Sequence, residues 1–132
     1  MSKTGANAET IRRGIELFNQ GKIPELMALY HPEVEVEATG TVIGGAFRGK
    51  EGLAAWFGKI GSTYPKGVHL HVENLIESGD TVVAEWSAKG TLANGKELAG
   101  KAVSVFEFRD GKASKQRYYA DSEQIARLMG QL

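Results

Sequence analysis

From Val68 onward the chain adopts a period of two and keeps it through four runs, "VHLHVENLIE", "TVVAEWSAKGTLA", "KELAGKAVSVFEF" and "KASKQRYYAD". The breaks between them, "SGD", "NG" and "RDG", are hairpin signals, because glycine and asparagine take the backbone angles that reverse a pair of twisted strands. The pattern predicts a long antiparallel meander. A sheet of this kind needs a cover for its apolar face, and the first third of the chain supplies one.

That third reads as helical. Ile11, Ile15 and Phe18 form one apolar face over residues 8–20, and Gly21 suits the left-handed position after a helix. Pro24 opens a second, short helix carrying Leu26, Leu29 and Tyr30, which Pro32 should stop. After a strand-like "EVEVEA" and the glycine-rich "GTVIGGAFRG", a third helix is marked by Leu53, Trp56, Phe57 and Ile60, and a short helix is expected over 122–130. Helices followed by a meander predict an α+β domain whose curved sheet is covered on one face by helices. At 132 residues the chain is one domain with one core, and residues 1–7 are expected to be a flexible N-terminus.

Sixteen Lys and Arg balance sixteen Asp and Glu with no block of like charge, so neither nucleic acid nor a membrane is expected as a partner. There is no cysteine, which excludes disulfides and thiolate chemistry. No apolar run resembles a signal peptide or approaches the ~18 residues of a membrane span, so a soluble, cytoplasmic protein is expected.

The hairpins fix faces by arithmetic. With Asn94-Gly95 as a two-residue turn, Glu85 lies across from Ser104, and one face carries Val83, Glu85, Ser87, Ala102, Ser104 and Phe106. The other carries Val82, Ala84, Trp86, Ala88, Val103 and Val105, an apolar surface suited to a partner. A three-residue loop at Asp110, Gly111 and Lys112 puts Tyr118 across from Ser104. An earlier loop puts Gln116 there, and a two-residue reading puts Arg117 there.

The pieces "IRRGIELFNQGKIPELMALYHPEVEVE", "GAFRGKEGLAAWF", "GDTVVAEWSAKGT" and "VFEFRDGKASKQRYYAD" followed by "SEQIARLMGQL" resemble, in order and spacing, the nuclear transport factor 2-like superfamily in its ketosteroid isomerase-like and SnoaL-like branch. The resemblance implies a cone-shaped sheet enclosing a small-molecule pocket beneath the helices, and a homodimer through the sheet's other face. It does not carry over the best-known machinery. The general-base Asp of the ketosteroid isomerases falls on Ala38, and their oxyanion-stabilising Tyr and Asp fall on Gly14 and Ser104. The Arg and two Asp of the limonene epoxide hydrolases fall on Glu85, Ser87 and Tyr118. The acid/base Asp of the SnoaL-like cyclases matches either Tyr118 or Asp121.

Several residues are candidates for chemistry. Glu85, facing an apolar pocket that disfavours its charge, is suited to proton transfer; its alternative is a structural carboxylate bonded to Ser104 or Tyr118. Tyr118 is placed as an oxyanion donor or a pocket wall, and Ser104 as the group orienting Glu85. Phe18, Trp56, Phe57, Val83, Ser87, Phe106 and Gln116 are expected around the substrate. "DSEQ" reads as Asp121 capping a helix with Gln124 as its partner, against an acid/base role. His31 is expected to be structural at a helix end. His69 and His71 share a face but lack a third ligand, so no metal and no cofactor are expected. The glycine-rich segment reads as a loop at the pocket mouth. Together these give a cofactor-free enzyme acting by proton transfer on an apolar carbonyl compound of polyketide or terpenoid type, through isomerisation, cyclisation or dehydration. The alternative is a noncatalytic ligand-binding or dimerisation module of the same fold.

Overall fold

The structure, a computed structural model, describes residues 5–40 and 42–130. Of the expected flexible segment, residues 1–4 lie outside the described residues, and Ala6 already opens a helix. The order is α1 (Ala6–Asn19), α2 (Ile23–Met27), β1 (Tyr30–Ala38), β2 (Gly45–Arg48), α3 (Gly49–Thr63), β3 (Val68–Ser78), β4 (Thr81–Thr91), β5 (Glu97–Arg109), β6 (Lys112–Ala120) and α4 (Ser122–Leu128). The six strands form one curved, unclosed sheet in the order β2-β1-β6-β5-β4-β3, matching the α+β expectation. The meander β3 to β6 is antiparallel, whereas β1 runs parallel to β6.

The second helix is shorter than its apolar residues suggest. It ends at Met27, and Tyr30 begins β1. Pro32 therefore lies inside a strand, where its missing N–H breaks the ladder, and the pairing with β6 is irregular between Tyr30 and Glu35.

The β4–β5 hairpin corrects the expected faces. Leu92 N–H bonds the Lys96 carbonyl at 2.8 Å and Gly95 N–H bonds the Leu92 carbonyl at 2.9 Å, so the loop is Ala93, Asn94 and Gly95. Gly95 sits at φ 86°, the left-handed position that closes a three-residue hairpin. The added residue shifts the register by one and turns β4 over. Ala84 opposes Ser104, and Glu85 opposes Val103. Val82, Ala84 and Trp86 thus pack in the core under the helices, not against a partner, while Glu85 is exposed and Val83 and Ser87 lie with it on the outer face.

At β5–β6, Arg109 pairs with Lys112 across a two-residue turn whose Asp110 and Gly111 both have positive φ, 57° and 76°. A bulge between Glu107 and Phe108 then shifts the pairing by one. The result places Tyr118 across from Ser104, as the longer loop also predicts.

Side chains from distant elements lock the helices down. The Glu77 carboxylate on β3 accepts from the amides of Gly5 and Ala8 at 3.0 and 2.9 Å, capping α1. At the other end of α1, Asn19 donates to the Leu70 carbonyl and accepts from the Leu70 amide, both at 2.8 Å.

Candidate functional site

The inner face of the sheet and the three N-terminal helices enclose an apolar cavity. Helix α1 contributes Ile11, Ile15 and Phe18, whose spacing of three and four turns one side of the helix inward. Helix α3 contributes Trp56, Phe57 and Ile60, and the sheet supplies Trp86, Phe106, Gln116 and Tyr118. The space, counted together with its open mouth, amounts to about 830 Å³.

Aromatic rings line much of it. Trp56 stacks on Phe57 at 5.6 Å between centroids, and Tyr118 meets Trp56 edge-on at 5.7 Å and Trp86 at 6.2 Å. The Trp56 indole donates to the Ile43 carbonyl at 3.0 Å, and the Lys59 ammonium donates to the Gly44 carbonyl at 2.8 Å. These two bonds tie the glycine-rich segment to α3, and Ile43 from that segment lines the cavity. A Cβ at Gly44 would lie 2.0 Å from the Gly40 carbonyl oxygen, so the chain doubles back there too closely for any side chain.

The polar groups of the lining are neutral. Tyr30 donates to Gln116 Oε1 at 2.7 Å, and Gln116 Nε2 donates to Ser104 Oγ at 3.0 Å, a buried chain across β1, β6 and β5. Burial pushes the hydroxyls of Tyr30, Tyr64 and Tyr118 above the ordinary phenol range. All three stay protonated at neutral pH. Among the described residues the lining holds no Asp, Glu, His, Lys or Arg.

Phe18, Trp56, Phe57, Phe106, Gln116 and Tyr118 are thus brought together, and Ser104 lies fully buried behind Gln116. Glu85, Val83 and Ser87 are not; Glu85 accepts from Asn74 Nδ2 at 3.3 Å on the exposed face. The desolvation that would suit Glu85 to proton transfer is absent, and Ser104 orients Gln116 rather than Glu85. Asp121 Oδ1 accepts from the Gln124 amide at 3.0 Å and caps α4, while the Gln124 side chain bonds the Ala99 carbonyl instead of returning to the cap. His31 is the second residue of β1, not at a helix end, and its Nδ1 accepts from the Glu33 amide. His69 and His71 are exposed on the outer face of β3, and no cluster suited to a metal occurs among the described residues.

Tyr64 belongs to the lining and carries no periodic signal, because it follows the last turn of α3 in "STYPKG". The available clue is Gly90, at the inward position of β4 where its ring lies: a Cβ there would be 2.9 Å from Tyr64 Cδ1.

The family model of the SnoaL-like domain matches residues 11–116. Among solved structures, an NTF2-like protein of unknown function from Burkholderia pseudomallei K96243 superposes with a TM-score of 0.88 at 24% identity, covering 95% of this chain and 98% of that one. TerC, crystallised with polyporic acid, superposes with a TM-score of 0.86 at 24% identity over 96% and 99% of the two chains. A protein provisionally named a SnoaL-like polyketide cyclase, from Jannaschia sp. CCS1, gives 0.79 at 20% identity over 95% and 94%. No curated protein matches the sequence.

Proposed function

The chain belongs to the SnoaL-like family, and from that premise we propose that its cavity binds a small, flat, largely apolar carbonyl compound and holds it by hydrogen bonds from neutral groups. The observation that carries this is the lining itself, aromatic walls with tyrosine hydroxyls and, among the described residues, no carboxylate, imidazole or amine. Such walls bury flat apolar surface, and the few polar atoms fix its orientation. The co-crystallisation of TerC with polyporic acid supports an organic ligand in this architecture. The test is mass spectrometry of small molecules released from purified, denatured protein. A flat oxygenated compound is expected; protein that is empty and that takes up no aromatic probe would overturn the reading.

Turnover is a second reading, favoured by the protonated Tyr118 hydroxyl in the cavity. A donor of this kind stabilises an oxyanion as it develops, in isomerisation, cyclisation or dehydration. Carbon-bound protons would then move through the substrate's own groups or water, not through Glu85. If this holds, Tyr118→Phe lowers the rate of product formation from bound substrate beyond what it costs in affinity.

The homodimer expected from the family is a proposal for the outer face of the sheet. Val83, Val103 and Val105 lie there beside the exposed Ile76 and Tyr119, which are 52% and 43% accessible.

A further inference from the structure

We propose that Tyr64 and Tyr118 form a two-phenol recognition point in the cavity, which takes the carbonyl or phenolic oxygen of a flat, uncharged aromatic ligand. This rests on the reading that the cavity binds such a ligand, and adds the atoms that select it. The two residues come from different walls, Tyr64 from the end of α3 and Tyr118 from the C-terminal part of β6, and both line the cavity. Both also pack on the cluster of Ile43, Leu92, Leu98 and Ile125 that closes this end of the sheet under α4. They lie near enough for charge on Tyr64 to oppose ionisation of Tyr118.

Three tyrosines line the cavity, and their hydroxyls differ in commitment. Tyr30 is spent on Gln116. Among the described residues, the hydroxyls of Tyr64 and Tyr118 have no hydrogen-bond partner in the protein. Among the described residues no side-chain oxygen sealed from solvent lacks a partner, so neither hydroxyl is sealed off, and the cavity is the space that both residues line. Their rings are held in place. Besides its 2.9 Å approach to Tyr64, a Cβ at Gly90 would stand 3.0 Å from Val68 Cβ and 3.1 Å from the Gly67 carbonyl oxygen, so the ring occupies a space that only glycine leaves free. Tyr118 is fixed by the two tryptophans.

A phenol in apolar surroundings gains a hydrogen bond from any acceptor that arrives, and a hydrocarbon in its place leaves the donor unmet. Among the described residues the lining offers no cation to offset the desolvation of an ionised ligand, which favours a neutral oxygen.

Fluorenone and fluorene share a three-ring skeleton and differ in one carbonyl, and equilibrium dialysis of each against the full chain reads the preference directly. Wild-type protein should bind fluorenone about tenfold more tightly than fluorene. Tyr64→Phe and Tyr118→Phe should each remove most of that preference while fluorene affinity stays unchanged, with melting curves confirming that both variants fold. Equal wild-type affinities, or a preference that survives in both variants, overturn the phenol pair and leave the cavity standing as a binding site. Binding of neither probe overturns the cavity reading and this proposal together.

Discussion

Ala84 stands directly across from Ser104, and the neighbouring Glu85 stands across from Val103 on the opposite face of the sheet. Glu85 is consequently exposed to solvent and outside the cavity. Glu85→Gln should leave ligand affinity and any turnover unchanged and alter stability by no more than about 0.5 kcal/mol, the usual range for a surface substitution. A large loss of binding or activity in this variant would show that the carboxylate reaches the site after all.

The buried chain from Tyr30 through Gln116 to Ser104 has no slack. Replacing Gln116 by Leu keeps the volume and strands both the Tyr30 hydroxyl and the Ser104 hydroxyl among apolar neighbours. At about 1–3 kcal/mol for each buried polar group left unmet, Gln116→Leu should cost roughly 2–6 kcal/mol in a denaturant titration. A cost below about 1 kcal/mol would mean that water or another donor replaces the amide.

Alkaline pH should unfold the protein through its cavity tyrosines. Burial raises the folded-state pKa of Tyr30, Tyr118 and Tyr64 above the ordinary 10.0. Their contribution to stability is complete below that value and falls as pH rises above it, because the unfolded chain releases these protons first. The slope should approach about 1.4 kcal/mol per pH unit for each phenol. Tyrosinate absorbance and circular dichroism followed together should show these phenols ionising as structure is lost, and ionisation of all of them with the fold intact would contradict the burial.

Asp121 is a helix cap, and its variants should separate by capping ability alone. Asn accepts from the Gln124 amide about as well, so Asp121→Asn should melt near wild type and bind ligand normally. Asp121→Ala should lose about 1 kcal/mol. Loss of activity in the Asn variant at unchanged melting temperature would make Asp121 a participant in chemistry.

If the outer face pairs two copies, sedimentation at micromolar concentration should give about twice the mass of one chain. Val103→Lys should yield a folded monomer, since the new ammonium lies opposite Glu85 and is solvated in one chain, whereas burying that ion pair between two sheets costs its desolvation. A monomeric wild type, or a dimer untouched by the lysine, rules out this face.

The helices, the meander and the inward side of β5 and β6 were legible because each rests on a local pattern or on a register that two offsets leave intact. At β5–β6 a shorter turn and a bulge together restore the pairing of Ser104 with Tyr118 that a longer loop predicts. β4 was not legible in the same way. Asn94-Gly95 serves equally as a whole two-residue turn or as the last two positions of a three-residue loop, and only the second brings Trp86 inside. The choice is made by burial: Val82, Ala84 and Trp86 gain the core, and Glu85 keeps its water. Tyr64 is not legible in the sequence because its place depends on what Gly90 omits, a contact between segments far apart in sequence.

The Asn19 side chain, which both donates to and accepts from Leu70, does more than dock a helix. It presents to β3 the same donor and acceptor pair that one residue of a further strand would present. β3 is 11 residues long and ends the sheet, the kind of open edge on which another chain can template a fibril. With Asn19 bonded to Leu70 near the start of that edge and the first turn of α1 bonded to Glu77 near its end, an incoming strand must first lift the helix that roofs the cavity. The other edge, β2, is only four residues long and offers little to copy. The contact that helps shape the cavity therefore also protects the protein from polymerising.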